Sequence, residues 1–326
     1  MRRDILPPYF HPTRVMFVDD NLGFMRSVTS GLPDSLCFDV FLTPEEALKQ
    51  VNQPHSRPQL MEECFSVQDD LWFLDLNVLE HEIKRKDRFE RLSVVLIDYA
   101  MPTMNGLEFS AQIADKDLRR VLLTGVADEK TAVQAFNDGL IDQYVPKTKL
   151  ARPGGLMPYI EEMQRRYFEQ FMERTCAMLN LPPPEFSCDP AFKQRFFEIV
   201  RTQQVVEYYF VTNPTGYLML RSDGSMLRLV VDYAGYVDKQ CQLVRDYGIP
   251  ETVARRIAQG DIPYFYEHPR DYLGNEKFPW DEFVFTGESA NTWRFALVQN
   301  PPADIDFEPT ESSYDVFLEG WRQSGQ

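Results

Sequence analysis

Five polar residues stand where short apolar runs end: Asp19 and Asp20 close RVMFVDD, Asp98 closes LSVVLID, Thr124 closes RVLLT and Lys147 closes QYVPK. Three of them are carboxylates. Gathered in one place these would repel one another, and their ionised state needs a cation to be tolerable. Oxygen-only ligands with open positions suit magnesium, a hard ion that keeps several waters and usually shares its shell with a phosphate. The Lys147 ammonium and the Thr124 hydroxyl would then meet the oxygens of an incoming phosphoryl group, which leaves Asp98 as the nucleophile that forms an acyl phosphate. The chain would contribute position and charge neutralisation.

A parallel sheet would bring these ends together. The run Val94, Val95, Leu96, Ile97 is β-branched and does not alternate, as a central strand covered on both faces requires. Asp98 then lies at its carboxyl end, where open α/β sheets place their chemistry. Around it the chain alternates strand and helix. Arg14 to Asp20 is a strand, and Asn21 caps a helix bearing Leu22, Met25 and Val28. Phe38 to Thr43 is the next strand, and Thr43-Pro44-Glu45-Glu46 starts the next helix. After the Leu92 strand come a helix from Asn105 to about Leu118, a strand from Arg120 to Thr124, a helix from Ala127 to Gly139 and a strand from Gln143 to Lys147. This order predicts an α/β fold: a five-stranded, parallel, doubly wound, flavodoxin-like sheet with right-handed crossovers. Residues 53–91 exceed what a crossover needs and read as an insertion, helical from Leu60 to Phe89 through Leu71, Leu74, Leu76, Val78, Leu79 and Ile83.

The set VMFVDDN, VVLIDYAMPTMNGLEF, VLLTG and QYVPK resembles the receiver (CheY-like) domain of two-component response regulators, over roughly residues 13 to 150. The resemblance implies that Asp98 is the phospho-acceptor. It implies that Asp20 and the backbone carbonyl of Ala100 bind Mg2+ together with Asp98, that Asp19 helps through water, and that Thr124 and Lys147 hold the phosphoryl oxygens. Tyr144 matches the aromatic that changes rotamer with Thr124 on activation. The implied phosphodonor is a histidine kinase or phosphotransfer protein. Two features depart from the pattern: the long Asp20 to Asp98 interval, and Thr148 after Lys147 where the family has proline. Ala100 and Val126 occupy positions that tune access of hydrolytic water in the family, and neither side chain can orient a water, so slow loss of phosphate is expected.

Residues 1–150 are thus assigned to the receiver, with the insertion at about 53–91, and residues 151–184 to a helical connector. In the connector, Leu156 to Leu179 carries Ile160, Met163, Tyr167, Phe171 and Met178 at near-heptad spacing, which fits a homodimer through this helix, with packing within one chain as the alternative. Pro182-Pro183-Pro184 marks a boundary. Residues 185–326 read as a smaller α+β output domain. Its strands are Tyr208 to Val211, Tyr217 to Arg221, Ser225 to Val231 and Thr292 to Gln299, in an antiparallel sheet, and its tail reads as mobile from about 301, with Phe317 and Trp321 able to dock a short helix. The run Tyr264-Phe265-Tyr266-Glu267-His268 reads as core, with the lining of a ligand pocket as the alternative.

The net charge of −16 disfavours nucleic acid and anionic membrane surfaces, because both demand a cationic face. Five scattered cysteines without a CxxC pair suit reduced thiols in the cytoplasm. No run long and apolar enough to span a bilayer is present in the sequence. The expected function is a cytoplasmic response regulator whose output domain acts through protein contact or ligand sensing, with no enzyme activity beyond the phospho-acceptor and autophosphatase chemistry of the receiver. A phosphorylation-controlled enzyme is the alternative, and a DNA-binding regulator a more distant one.

Overall fold

The computed structural model describes residues 5–53, 65–68, 71–125, 129–150, 155–180, 182–212, 215–232, 236–260, 285–288, 293–299, 301 and 307–323. The backbone divides into two compact units, one made of His11–Pro58, Arg85–Phe171 and Val316–Gln326, the other of Met1–Phe10, Gln59–Lys84 and Met172–Asp315. The chain therefore passes between units five times.

The first unit holds a parallel sheet of β1 (Arg14–Val18), β2 (Phe38–Phe41), β3 (Leu92–Asp98), β4 (Arg119–Thr124) and β5 (Gln143–Pro146), in the order β2-β1-β3-β4-β5. Its helices are α1 (Leu22–Thr29), α2 (Pro44–Val51), α3 (Gly106–Gln112), α4 (Glu129–Asn137) and α5 (Met157–Leu179), the last continuing beyond the unit. Successive strand residues point to opposite faces, so the sheet is covered on both. Met16, Val18, Val95, Ile97 and Leu122 pack with Ala47, Phe109 and Ala132 from α2, α3 and α4. Val15, Phe17, Val94, Leu96 and Leu123 pack with Met25, Ile160 and Met163 from α1 and α5. The doubly wound, flavodoxin-like architecture follows from these two cores, and every residue of β3 is buried.

The structure bears on four sequence expectations. The near-heptad row of α5 is not a free seam: Ile160 and Met163 lie in the unit's own core and Tyr167 is buried, while Met178 is 53% exposed. This is the packing within one chain that the same spacing also fits. Polar contacts fix the same helix, since Gln164 Nε2 donates to Thr13 Oγ1 at 2.9 Å, and Thr13 Oγ1 lies 2.6 Å from Ser93 Oγ at the start of β3.

The insertion is not helical throughout. Phe65–Gln68 and Leu71–Leu74 form an antiparallel pair, and only Leu76–Lys84 is α-helix, followed by a 3-10 turn at Lys86–Glu90. Phe65, Val67, Trp72 and Phe73 favour extended backbone, and short apolar runs are ambiguous by periodicity alone. The hairpin and its helix also group with the second unit rather than with the parallel sheet, as do the first ten residues. The second unit is consequently the larger one.

The short helix expected around Phe317 and Trp321 forms. Pro309–Ser312 and Tyr314–Gln323 are helical, and Tyr314 and Leu318 are buried. The portion from Val316 belongs to the parallel-sheet unit, where Phe317 meets Phe89 with ring centroids 5.2 Å apart and the Arg14 guanidinium lies 5.4 Å over Trp321. His11 presents edge contacts to Phe89 and Phe168, at 6.1 and 5.0 Å. His11, Phe89, Phe168 and Phe317 thus form one aromatic cluster within this unit.

The second unit is built on a six-stranded sheet in the order Tyr9–Phe10, Val205–Thr212, Thr215–Arg221, Met226–Asp232, Arg294–Gln299, Phe285–Glu288, every pairing antiparallel. One face is aromatic: Phe186 and the Pro190–Thr202 helix residues Phe192 and Phe196 pack on Tyr208, Phe210, Tyr217 and Phe295. On the other, Val230 and Val298 meet Val244, Val253 and Ile257 of the helices Tyr236–Asp246 and Glu251–Gln259. Gly216 has no room for a side chain, because a Cβ there would stand 1.9 Å from the Leu229 carbonyl oxygen. The run Tyr264 to His268 lies outside the described residues.

Candidate functional site

The parallel register brings the strand ends level. Val18 pairs with Ile97, Asp98 with Leu123, and Thr124 with Pro146, so Asp19, Asp98, Thr124 and Lys147 share one edge of the sheet. The loop after β3 is closed by two backbone bonds: Tyr99 N donates to Leu123 O at 3.0 Å and Gly106 N to Tyr99 O at 2.9 Å. Asn105 then starts α3 with a capping box. Its Oδ1 accepts from Leu107 N and Glu108 N, each at 3.0 Å, and Glu108 Oε2 accepts from Asn105 N at 3.1 Å.

At this edge the carboxylate oxygens of Asp19, Asp20 and Asp98 lie within 4.8 Å of one another, the only such cluster among the described residues. The Asp19 and Asp98 side chains are 0% and 7% exposed, and Asp20 is exposed. Lys147 Nζ lies 2.7 Å from Asp19 Oδ2 and 2.8 Å from Asp98 Oδ1. Asp19 Oδ1 also accepts from Asn21 N at 2.8 Å. Burial raises the Asp19 carboxyl above the usual carboxylate range, beyond what Lys147 and the Asn21 amide recover, and the Asp98 charge adds to the rise. Burial alone would push the Lys147 ammonium down, but hydrogen bonds to Asp19 and Asp98 prevail and hold it above its ordinary value.

Three carboxylates against one ammonium leave an excess of negative charge in a largely buried place, and all the donors are oxygens. That set is compatible with Mg2+, to which Asp19, Asp20 and Asp98 could each offer an oxygen. Ala100 is exposed in the loop immediately after Asp98 and Tyr99. Thr124 is 1% exposed, and its Oγ1 has no hydrogen-bond partner among the described residues. A desolvated hydroxyl without a partner is costly, so Thr124→Val is expected to leave the unit as stable as before or to stabilise it by up to about 1 kcal/mol. Urea unfolding would check this; a clear loss would mean that the hydroxyl is satisfied in the resting protein.

Tyr144 faces Leu122 across the sheet and packs against that core while half-buried. It lines a groove of about 370 Å³ with Phe136, Gln143, Pro146, Tyr159 and Arg166. Val126 lies outside the described residues. One group escaped the sequence reading. The Phe24 ring of α1 stands under Lys147, with Nζ 4.5 Å from its centroid.

Comparison with known proteins agrees with this geometry. Residues 79–152 match the response regulator receiver domain family. The match begins after the hairpin of the insertion and so omits β1 with Asp19 and Asp20. A search of curated proteins finds no match. Among solved structures, the Legionella pneumophila response regulator LqsR is 28% identical over 98% of this chain and 97% of its own, with a TM-score of 0.77. A CheY-like receiver domain protein from Methanospirillum hungatei is 17% identical over 49% of this chain and 98% of its own, with a TM-score of 0.34. With the acidic cluster, the bridging lysine and the buried threonine at the carboxyl edge of a β2-β1-β3-β4-β5 sheet, the chain contains a CheY-like receiver domain of the response-regulator family.

Proposed function

We propose that this chain is a cytoplasmic, phosphorylation-controlled response regulator that takes a phosphoryl group on Asp98 and relays the change to its antiparallel-sheet unit. The donor is a phosphohistidine on a kinase or phosphotransfer protein. The single observation that carries this reading is the Lys147 ammonium held between two largely buried carboxylates, beside a third carboxylate.

In the transfer, an Asp98 carboxylate oxygen forms a bond to phosphorus as the phosphorus–nitrogen bond of the donor breaks and the imidazole leaves. Asp19 and Asp20, with Asp98 and the Ala100 carbonyl, would hold Mg2+, which when bound neutralises charge on the phosphoryl oxygens. Lys147 is already ionised and aimed at Asp98, so it needs no proton to meet a new anionic oxygen. The Thr124 hydroxyl, unpartnered among the described residues, is available to donate to another. Tyr144 would then follow Thr124 toward the core. Ala100 offers no hydrogen-bonding group to hydrolytic water, which favours a long-lived acyl phosphate. The antiparallel unit passes the signal on through protein contact or ligand binding.

The test is intact-mass measurement of the full chain with Mg2+ and acetyl phosphate. Wild type is expected to gain one phosphoryl group and Asp98→Ala none, with chelation of the metal abolishing the gain. Equal incorporation into both proteins would sink the proposal. A pull-down comparing phosphorylated wild type with Asp98→Ala then identifies the downstream partner.

A further inference from the structure

We infer that Phe24 is a positioning residue for Lys147, an aromatic seat that keeps the ammonium over the acidic pocket; this rests on the phosphoryl-transfer reading above. Lys147 follows the last residue of β5 and opens a 3-10 turn, Lys147–Leu150, so the sheet holds its backbone on one side only. Its stem is long and loses considerable rotamer entropy when fixed. Two kinds of contact hold its tip in the structure: the carboxylates of Asp19 and Asp98, and the face of Phe24. The carboxylates are the groups that a divalent cation or a phosphoryl group would engage, and esterification removes the charge of Asp98. The ring attracts the ammonium through its quadrupole whatever the charge of Asp98.

Phe24 is itself held in place by the pocket that it serves. Asp19 Oδ1 accepts from Asn21 N at 2.8 Å, and Asn21 Oδ1 accepts from Phe24 N at 3.0 Å as the N-cap of α1. Lys147 closes the circuit, touching Phe24 at 4.5 Å and Asp19 at 2.7 Å. The Phe24 side chain is partly buried against the β1/β3/β4 core that also contains Met25 and Val28. A core-packed ring on a capped helix is a rigid support for a flexible cation. This arrangement links α1 and β5 through four contacts around one carboxylate.

Two measurements on the full chain test the inference. With carbon-13-labelled lysine, the Lys147 ε-methylene resonance, identified by its loss in Lys147→Arg, is expected upfield through the ring current. It should return toward the random-coil position in Phe24→Leu and stay upfield in Phe24→Tyr. An unchanged shift in Phe24→Leu would overturn the inference. In the second, phosphorylation by acetyl phosphate with Mg2+ is expected to slow about two- to fivefold in Phe24→Leu and to recover in Phe24→Tyr, the size of one cation–π contact. The effect should vanish in a Lys147→Met background. Equal slowing there, or no recovery with tyrosine, would show that Phe24 acts through packing alone. If wild type takes no phosphate, the functional reading fails while the resonance still decides the position of Lys147. The conservative tyrosine variant keeps the test valid should Phe24→Leu fold poorly.

Discussion

Lys147→Met is expected to destabilise the parallel-sheet unit by about 2–4 kcal/mol in metal-free buffer and to make its stability strongly dependent on magnesium. The cost comes from two carboxylates whose side chains are 0% and 7% exposed and which lose the cation between them. Removing one partner of a buried pair leaves an uncompensated charge, typically a loss of about 3–5 kcal/mol. The lower figure is adopted because Lys147 is 26% exposed and the Asn21 amide still donates to Asp19. A divalent cation that binds only the folded protein restores stability by mass action, about 2.7 kcal/mol at a hundred times its dissociation constant. Unfolding of the full chain followed with and without Mg2+ should therefore show a larger metal-induced gain in the variant than in wild type. If the variant matches wild type without metal, the pair contributes nothing and the electrostatic description of the pocket is wrong.

Gly106→Val is expected to cost about 2–4 kcal/mol and to abolish phosphorylation. A Cβ at this position would stand 2.4 Å from the Asp98 carbonyl oxygen and 2.7 Å from Leu122 Cδ1. The first neighbour is backbone and cannot swing aside. Gly106 N also donates to Tyr99 O at 2.9 Å, so displacing α3 breaks the bond that closes the Asp98 loop. Helix propensity works the other way: alanine gains up to about 1 kcal/mol over glycine in a helix and valine roughly half of that. Overpacking of about 1–3 kcal/mol together with the lost turn bond exceeds this gain, so the sign is set by sterics rather than by propensity. Gly106→Ala is the milder companion, with a net loss of about 1–2 kcal/mol. Circular dichroism melts and the mass assay read both effects, and a stabilised alanine variant would show that the loop relaxes freely.

Most of the receiver was legible in the sequence because its strands are buried on both faces and their polar ends are unmistakable. VVLI followed by Asp98 can hardly be anything but a central parallel strand with a carboxylate at its tip, and every residue of that strand is buried. Alternation within β1 also sorted itself, Val15 and Phe17 to one core and Met16 and Val18 to the other. Short apolar runs were less informative. Phe65–Gln68 and Leu71–Leu74 read as helix because leucine spacing over a few residues fits either period, and their partnership is with each other. The α5 row illustrates another limit: Ile160 and Met163 carry the same pattern whether they face a second copy or their own sheet, and only tertiary packing shows which. Phe24 was invisible as a site residue, since nothing in local sequence tells that a helix aromatic lies beneath a lysine more than a hundred positions away.

The five passages between units bear on modularity. Receivers are commonly thought of as beads on a string, transplantable by cutting once. Here a cut after β5 would strip the sheet of α5 and of Val316–Gln326, whose Phe317 and Trp321 rest on Phe89 and Arg14, while retaining Met1–Phe10 and Gln59–Lys84, which belong to the other unit. Such a fragment would carry orphaned strands and an uncovered sheet face. A receiver excised or exchanged by such a single cut would not keep its own sheet covered.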